Sequence, residues 1–177
     1  MTESERPTDD SAAWIHAALT QYEQPLTAYA TRILGDVERA RDAVQETFLR
    51  LCNQERASVE DHLSEWLFRV CRNQALDVQR KESWMTPMNE DSERVALDTA
   101  PPPTAALEAR ENLSHVLGML AGLPEKQQEV LRLKFQHGLS YKEISRVMDE
   151  SIGNVGWLIH VGIKNLRGKL AGEGAEA

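Results

Sequence analysis

Apolar residues recur every three or four positions along most of this chain, which is the spacing of one face of an α-helix. In the first half, this spacing predicts a helix from Trp14, a second one after Asp36 and a third from Leu63 to about residue 81. Pro25 lies inside the first segment and is expected to kink that helix or to start a new one. No segment alternates as a half-buried strand does, so the fold class is predicted to be all-α.

The C-terminal part carries the start and stop signals of three further helices. The first begins at Pro124 and stops at Gly138. The second follows Ser140, which has Glu143 three residues later as a capping box, and the third is capped by Ser151 after a tight turn. The apolar stripe of this third helix consists of Ile152, Val155, Ile159, Ile163, Leu166 and Leu170. A short helix, a turn and a longer helix indicate a DNA-binding helix-turn-helix, and a plain helical hairpin is the alternative.

The segment between the two helical parts has a different composition. Residues 82–106 contain an acidic cluster and three consecutive prolines, which is typical of an extended, flexible linker. Helical spacing returns at Leu107. We therefore expect two small helical domains, residues 12–81 and 107–170, joined by an acidic, Pro-rich linker.

The charge of the chain is unevenly distributed. The net charge is -8, yet residues 82–111 hold seven negative and two positive charges, whereas residues 123–170 hold five negative and eight positive. The C-terminal segment is thus mildly basic, which fits a nucleic-acid partner without requiring one. Cys52 and Cys71 both lie in apolar helical patterns and are predicted to be buried free thiols.

Several classes of function find no support in the sequence. There is no membrane-length apolar run and no signal peptide, so a cytoplasmic protein without membrane attachment is expected. There is no catalytic triad, no paired-carboxylate motif and no phosphate-binding glycine loop, and the five histidines have no metal-ligand spacing. We expect no enzymatic activity, no metal and no cofactor.

Two helices carry side chains suited to nucleic acid. Arg69, Arg72, Asn73 and Arg80 share one face of the third helix with Trp66 at its start, which suits a phosphate backbone and one stacked base. A solvated basic face is the alternative.

The last helix has a face opposite its apolar stripe. On such a face, Asn can hydrogen-bond to adenine and Lys can reach phosphate or guanine. Val can contact the methyl group of thymine. An exposed Trp on such a helix more often marks a contact with a protein than a contact with a base. The residues predicted to point outward are Gly153, Asn154, Trp157, Val161 and Lys164, with Leu158 and His160 at the flanks.

Two segments of the chain resemble a known family. DAVQETFLRL (Asp42–Leu51), followed by WLFRVCRNQALD (Trp66–Asp77), is similar to region 2 of the sigma-70 family of bacterial RNA polymerase sigma factors. The segment Leu123–Leu170 is similar to their region 4. Two such regions joined directly are the layout of the extracytoplasmic-function (ECF) group.

The resemblance implies a role for each matching residue. It implies docking on the clamp helices of the polymerase's large subunit for Asp42, Gln45, Glu46, Phe48 and Leu49. It implies opening of the promoter and binding of the -10 element for Trp66, Arg69, Arg72, Asn73, Asp77, Arg80 and Lys81. It implies contact with the -35 element for Lys142, Ser151, Asn154, Trp157, His160, Val161 and Lys164.

The resemblance also implies binding partners, and the chain differs from the family pattern at several positions. The implied partners are bacterial core RNA polymerase, promoter DNA and an anti-sigma factor. The family usually has basic residues where this chain has Gly156, Leu158, Val161 and Asn165, which predicts fewer phosphate contacts from the last helix. The alternatives are a regulator that uses only the helix-turn-helix, and a sigma-like interaction module that does not initiate transcription.

Overall fold

The computed structural model describes residues 9–85 and 118–173. All regular structure in these residues is helical, which confirms the all-α fold class. The chain divides into two compact units, residues 1–95 and 96–177. Most of the predicted linker, and most of the helix expected from Leu107, lie outside the described residues; of that helix, residues 118–121 are described and are helical.

The first unit is built on a long helix, α1 (Asp9–Leu34). This helix continues through Pro25, so the expectation that Pro25 starts a new helix is wrong. Directly after the proline, Leu26, Tyr29 and Ala30 are buried against the neighbouring helices. Their burial offsets the loss of the backbone hydrogen bond that Pro25 cannot donate.

Three further helices complete this unit: α2 (Val37–Cys52), α3 (Arg56–Val59) and, after a 3-10 turn, α4 (Leu63–Met85). Asp36 caps α2 by accepting a hydrogen bond from the backbone N–H of Arg39 at 2.9 Å. The helix α4 runs four residues beyond its predicted end at residue 81. Glu82 there pairs with Arg39 at 2.6 Å, which ties the end of α4 to the start of α2.

The core of the first unit lies between α1, α2 and α4. Tyr29 and Phe68 meet edge to face with their ring centroids 5.3 Å apart. Cys71 is fully buried next to the carbonyl oxygen of Leu26, and burial raises the pKa of its thiol to about 12. Cys52, in contrast, is exposed at the end of α2, so the prediction that both thiols are buried is wrong for Cys52.

From residue 123 to residue 173, the second unit packs α5 (Glu125–Phe135), α6 (Tyr141–Met148) and α7 (Ile152–Glu173) together. Its local signals form as predicted. Gly138 lies after α5 with a positive φ of 70°. Ser140 and Glu143 form the capping box, and the hydrogen bonds from Ser140 lower the pKa of the Glu143 carboxyl.

The turn between α6 and α7 contains a residue with a left-handed backbone conformation. Asp149 has φ 55° and ψ 45°, and the backbone N–H of Glu150 donates to the carbonyl oxygen of Ser145 at 3.0 Å. Ser151 then caps α7 by accepting from the backbone N–H of Asn154 at 3.1 Å. The short helix, tight turn and long helix predicted from the sequence are therefore present.

Candidate protein-binding and nucleic-acid-binding surfaces

The outer face of α2 presents four of the five residues predicted to dock on a protein. Asp42, Gln45, Glu46 and Leu49 are exposed, and Leu49 is exposed to 56%. Phe48 is buried at 5% exposure and faces the core instead. Leu49 thus adds one apolar side chain to an otherwise polar face.

This face borders a groove of about 500 Å³ between α1 and α2. The groove is lined by Leu19, Glu23, Thr27, Arg41, Asp42, Val44, Gln45, Phe48, Leu49 and Cys52. Phe48 thus forms part of its floor, while Leu49 stands on its rim. The residues from α1 and the thiol of Cys52 were missed in the sequence, because no motif there pairs α1 with α2.

The outer face of α4 carries the second predicted group. Asn73, Asp77, Arg80 and Lys81 are exposed, whereas Arg69 and Arg72 are half-buried. Arg80 donates to the carboxylate of Asp77 at 3.2 Å, so part of the positive charge of this face is paired.

Trp66 does not lie on that face. Its side chain is 8% exposed, and the neighbouring residues 65–68 are all buried. Residues 65–68 make up one turn of α4, so every side of the helix is covered there. The prediction that Trp66 presents its ring for stacking on a base is wrong for this structure.

The helix α7 is rotated relative to the sequence-based prediction. Its buried residues are Val155, Leu158, Ile159 and Gly162, while Ile152 and Leu170 from the predicted stripe are exposed. At 100° per residue this is a rotation of about 50°. Leu158, predicted at the flank of the outward face, therefore belongs to the core.

The exposed face of α7 is centred on three side chains. Trp157 (58% exposed), His160 and Lys164 lie three and four residues apart, so they share one side of the helix. Val161 is half-buried at its edge, and Lys142 of α6 is exposed. This surface combines one aromatic ring, one imidazole and the positive charge of Lys164, and the exposed Arg167 follows three residues later on the same side.

Asn154 is held by a short chain of side chains at the start of α7. Its amide nitrogen Nδ2 donates to Glu150 Oε2 at 2.6 Å. The other carboxylate oxygen, Oε1, accepts from Lys126 Nζ at 2.5 Å. The sequence gives no signal for this arrangement, because Lys126 lies on α5, 24 residues before Glu150.

Aromatic side chains that the sequence did not single out lie on the second unit. Phe135 and Tyr141 are exposed, to 65% and 40%. Tyr141 lies beneath the ammonium group of Lys134, 5.4 Å from its ring centroid, and its ring also borders Gly156. The family usually has a basic residue at that position, so this side of α7 is apolar where a charge would be expected.

The described residues contain neither a metal-binding cluster nor a membrane-spanning helix. Within 9–85 and 118–173, no three His, Cys, Asp or Glu side chains group in a way that would hold a metal ion. No helix in those ranges is long and apolar enough to cross a membrane.

Comparison with known proteins places both units in one family. Residues 18–85 match the family described as Sigma-70 region 2, and residues 115–166 match Sigma-70, region 4. The chain is 31% identical over 152 residues to the ECF RNA polymerase sigma factor EcfG of Rhodopseudomonas palustris (strain TIE-1), covering 85% of this chain and 82% of EcfG. It is 31% identical over 120 residues to the ECF RNA polymerase sigma factor SigM of Bacillus subtilis (strain 168), covering 67% and 72%.

A solved structure agrees on the fold. The sigma factor RpoE from Bartonella quintana, crystallised in complex with the anti-sigma factor NepR, superposes with a TM-score of 0.62 at 20% identity, covering 88% of this chain and 96% of RpoE. A regulator with only a helix-turn-helix is not favoured, because both sigma regions are present and the relatives are sigma factors. The chain therefore belongs to the sigma-70 family of RNA polymerase sigma factors, in the ECF group, whose members direct transcription initiation at promoters.

Proposed function

We propose that this sigma factor binds core RNA polymerase through the outer face of α2 and the groove beside it. The main support is the position of Leu49, which is 56% exposed on the rim of that groove, with Asp42 and Gln45 next to it. Burying one such Leu in a partner stabilises a complex by about 1.5–3 kcal/mol. Phe48 contributes from below by forming the groove floor.

The promoter contacts divide between the two units. The exposed Asn73, Arg80 and Lys81 of α4 are proposed to contact the opened -10 element, together with the half-buried Arg69 and Arg72 and the paired Asp77. Mixed Arg, Asn and Lys on one helix face supply donors to phosphate and to base edges. Trp66, which belongs to α4, anchors this helix in the core, because its side chain is buried.

The exposed face of α7 is proposed to contact the -35 element. Trp157, His160 and Lys164 form its centre, and the remaining contacts come from Lys142, Ser151, Asn154 and Val161. Lys164 and Arg167 are the exposed basic residues on this side of α7, so the face makes few phosphate contacts and binding there depends on the polymerase holding the helix in place.

The proposal extends to regulation and to the place of action. The Bartonella quintana sigma factor of similar fold was crystallised with an anti-sigma factor. We propose that an anti-sigma factor likewise controls this chain, which acts in the cytoplasm with RNA polymerase and catalyses no reaction of its own.

Leu49→Asp tests the docking surface. A charge on the rim opposes burial in the polymerase, so capture of core enzyme by the tagged full-length chain is expected to weaken by roughly 10- to 100-fold. Leu170→Asp is the matched control, because Leu170 is similarly exposed, at 48%, but lies at the end of α7. Equal capture of core enzyme by both variants and the unmodified chain would contradict the proposed surface.

A further inference from the structure

A half-buried carboxylate, that of Glu150, lies directly before the first turn of α7. The side chain of Glu150 is only 19% exposed, and both of its oxygens are used, one by Lys126 at 2.5 Å and one by Asn154 at 2.6 Å. The backbone of Glu150 is fixed as well, since its N–H donates to Ser145 and its carbonyl accepts from the Ser145 hydroxyl at 2.6 Å. Glu150 therefore has little freedom to move when α7 meets a ligand.

This arrangement fixes the orientation of the Asn154 amide. A carboxylate only accepts hydrogen bonds, so it must face the Nδ2 side of the amide and never the Oδ1 side. A free Asn side chain, in contrast, can turn its amide over and exchange donor for acceptor. With Nδ2 held by Glu150, one N–H and the carbonyl Oδ1 remain for a partner.

One donor beside one acceptor is the pattern that complements adenine in the major groove, where N7 accepts and the N6 amino group donates. We infer that Glu150, braced by Lys126, is a positioning residue that makes Asn154 select adenine at one base pair of the -35 element. This inference rests on the proposed contact between α7 and promoter DNA. Lys126 also neutralises the Glu150 carboxylate, which reduces its repulsion of the DNA phosphates.

The test is selection from a pool of promoter duplexes randomised across the -35 element, bound by holoenzyme assembled from core polymerase and the full-length chain. The unmodified chain is expected to prefer adenine at one position by roughly 5- to 100-fold. Asn154→Ala and Glu150→Ala should each reduce that preference to within about twofold at the same position, and the double variant should lose no more than either single one. Replacing that adenine with 7-deazaadenine should weaken binding of the unmodified chain but not of Asn154→Ala.

The selectivity ratio separates positioning from a general effect of charge or folding. Removing the Glu150 charge strengthens binding to every sequence alike, which leaves the ratio between bases unchanged. The turn itself should persist in Glu150→Ala, because its hydrogen bonds to Ser145 come from the backbone of Glu150. Lys126→Ala leaves Asn154 and Glu150 in contact and is expected to show an intermediate loss of preference.

Three results would overturn the inference. If Asn154→Ala loses the preference for adenine and Glu150→Ala keeps it, Asn154 needs no positioning by Glu150. If Asn154→Ala keeps it, another residue selects that base, while the proposed contact of α7 with DNA stands. If holoenzyme forms but selects no -35 sequence at all, the proposed contact of α7 with DNA fails together with the inference, whereas docking through α2 does not.

Discussion

Leu158 shows how a single core position limits the charge that the recognition helix can carry. The family usually has a basic residue there, but in this chain the side chain is 5% exposed and packs on the same side of α7 as Val155 and Ile159. Leu158 therefore fills a core position, and the absence of a basic residue there removes no phosphate contact. Val161 is different, because it is half-buried at the edge of the exposed face.

Arg substitutions at these two positions should behave oppositely. Leu158→Arg is expected to lower the free energy of unfolding by about 3 kcal/mol, because it buries an unpaired charge in place of a Leu. Val161→Arg should leave stability within about 0.5 kcal/mol and strengthen promoter binding with a steeper salt dependence. Urea unfolding followed by circular dichroism measures the first effect, and holoenzyme binding to promoter DNA the second. A stable Leu158→Arg variant with improved DNA binding would show that this residue faces outward.

The two cysteines should differ sharply in reactivity. Only the thiolate reacts with alkylating or disulfide reagents, and a thiol whose pKa is raised to about 12 is almost entirely protonated at pH 8. Cys71 is also shielded, whereas Cys52 is exposed on the groove beside α2. Titration of the native protein with a chromogenic disulfide is expected to show one fast thiol, which Cys52→Ser removes. Two fast thiols in the native protein would contradict the burial of Cys71.

At the scale of the helices, local signals were predictable and the orientation of each helix about its axis was not. The capping box of Ser140 and Glu143, the turn at Asp149 and the cap at Ser151 depend only on neighbouring residues, and all of them form. The buried face of α7 depends instead on what α5 places opposite it. An apolar stripe takes no account of Gly162, yet Gly162 is buried and packs against the side chains of Leu131 and Gln127 on α5.

The same limit explains Trp66. Helical spacing placed it with the basic residues of α4, but the turn formed by residues 65–68 is buried on all sides. Sequence periodicity assumes that one face of a helix is in water, which fails where a helix enters the core. Farther along α4, Asn73 and Lys81 are exposed because the helix has one solvent face there, and their contact with DNA stays a prediction.

Gly162 and Gly153 provide a matched test of how α5 and α7 pack. A Cβ atom at position 162 would come within 2.9 Å of Leu131 Cδ1, and Leu131 is itself buried. Gly162→Ala gains about 1 kcal/mol in helix propensity but overpacks the core, so a net destabilisation of about 1 kcal/mol is expected. Gly153→Ala meets nothing within 4 Å and should gain up to about 1 kcal/mol. Urea unfolding of both variants checks the signs; stabilisation by Gly162→Ala would mean that the two helices separate easily.

For the whole molecule, the separation of charge along the chain matters more than its total. A net charge of -8 opposes binding to DNA at a distance, although residues 123–170, which carry the helix-turn-helix, hold eight positive and five negative charges. Long-range attraction therefore contributes little, and the local contacts of α4 and α7 have to supply the affinity. Since both units belong to one chain, binding of one raises the effective concentration of the other at the promoter.

This distribution makes Lys164 the sharpest test of whether α7 contacts DNA. Each phosphate contact releases about one counterion, so loss of one contact lowers the slope of log affinity against log salt concentration by about 1. Lys164→Ala is expected to produce that change in holoenzyme binding to promoter DNA, together with weaker binding at low salt. Lys169→Ala removes the same charge from the same helix, but its ammonium group lies beside Gly122, away from the exposed face of Trp157 and His160. Identical slopes for the Lys164→Ala variant and the unmodified chain would show that Lys164 of α7 does not contact the promoter. An equal decrease of the slope in both Lys variants would show only a general attraction of the unit for DNA.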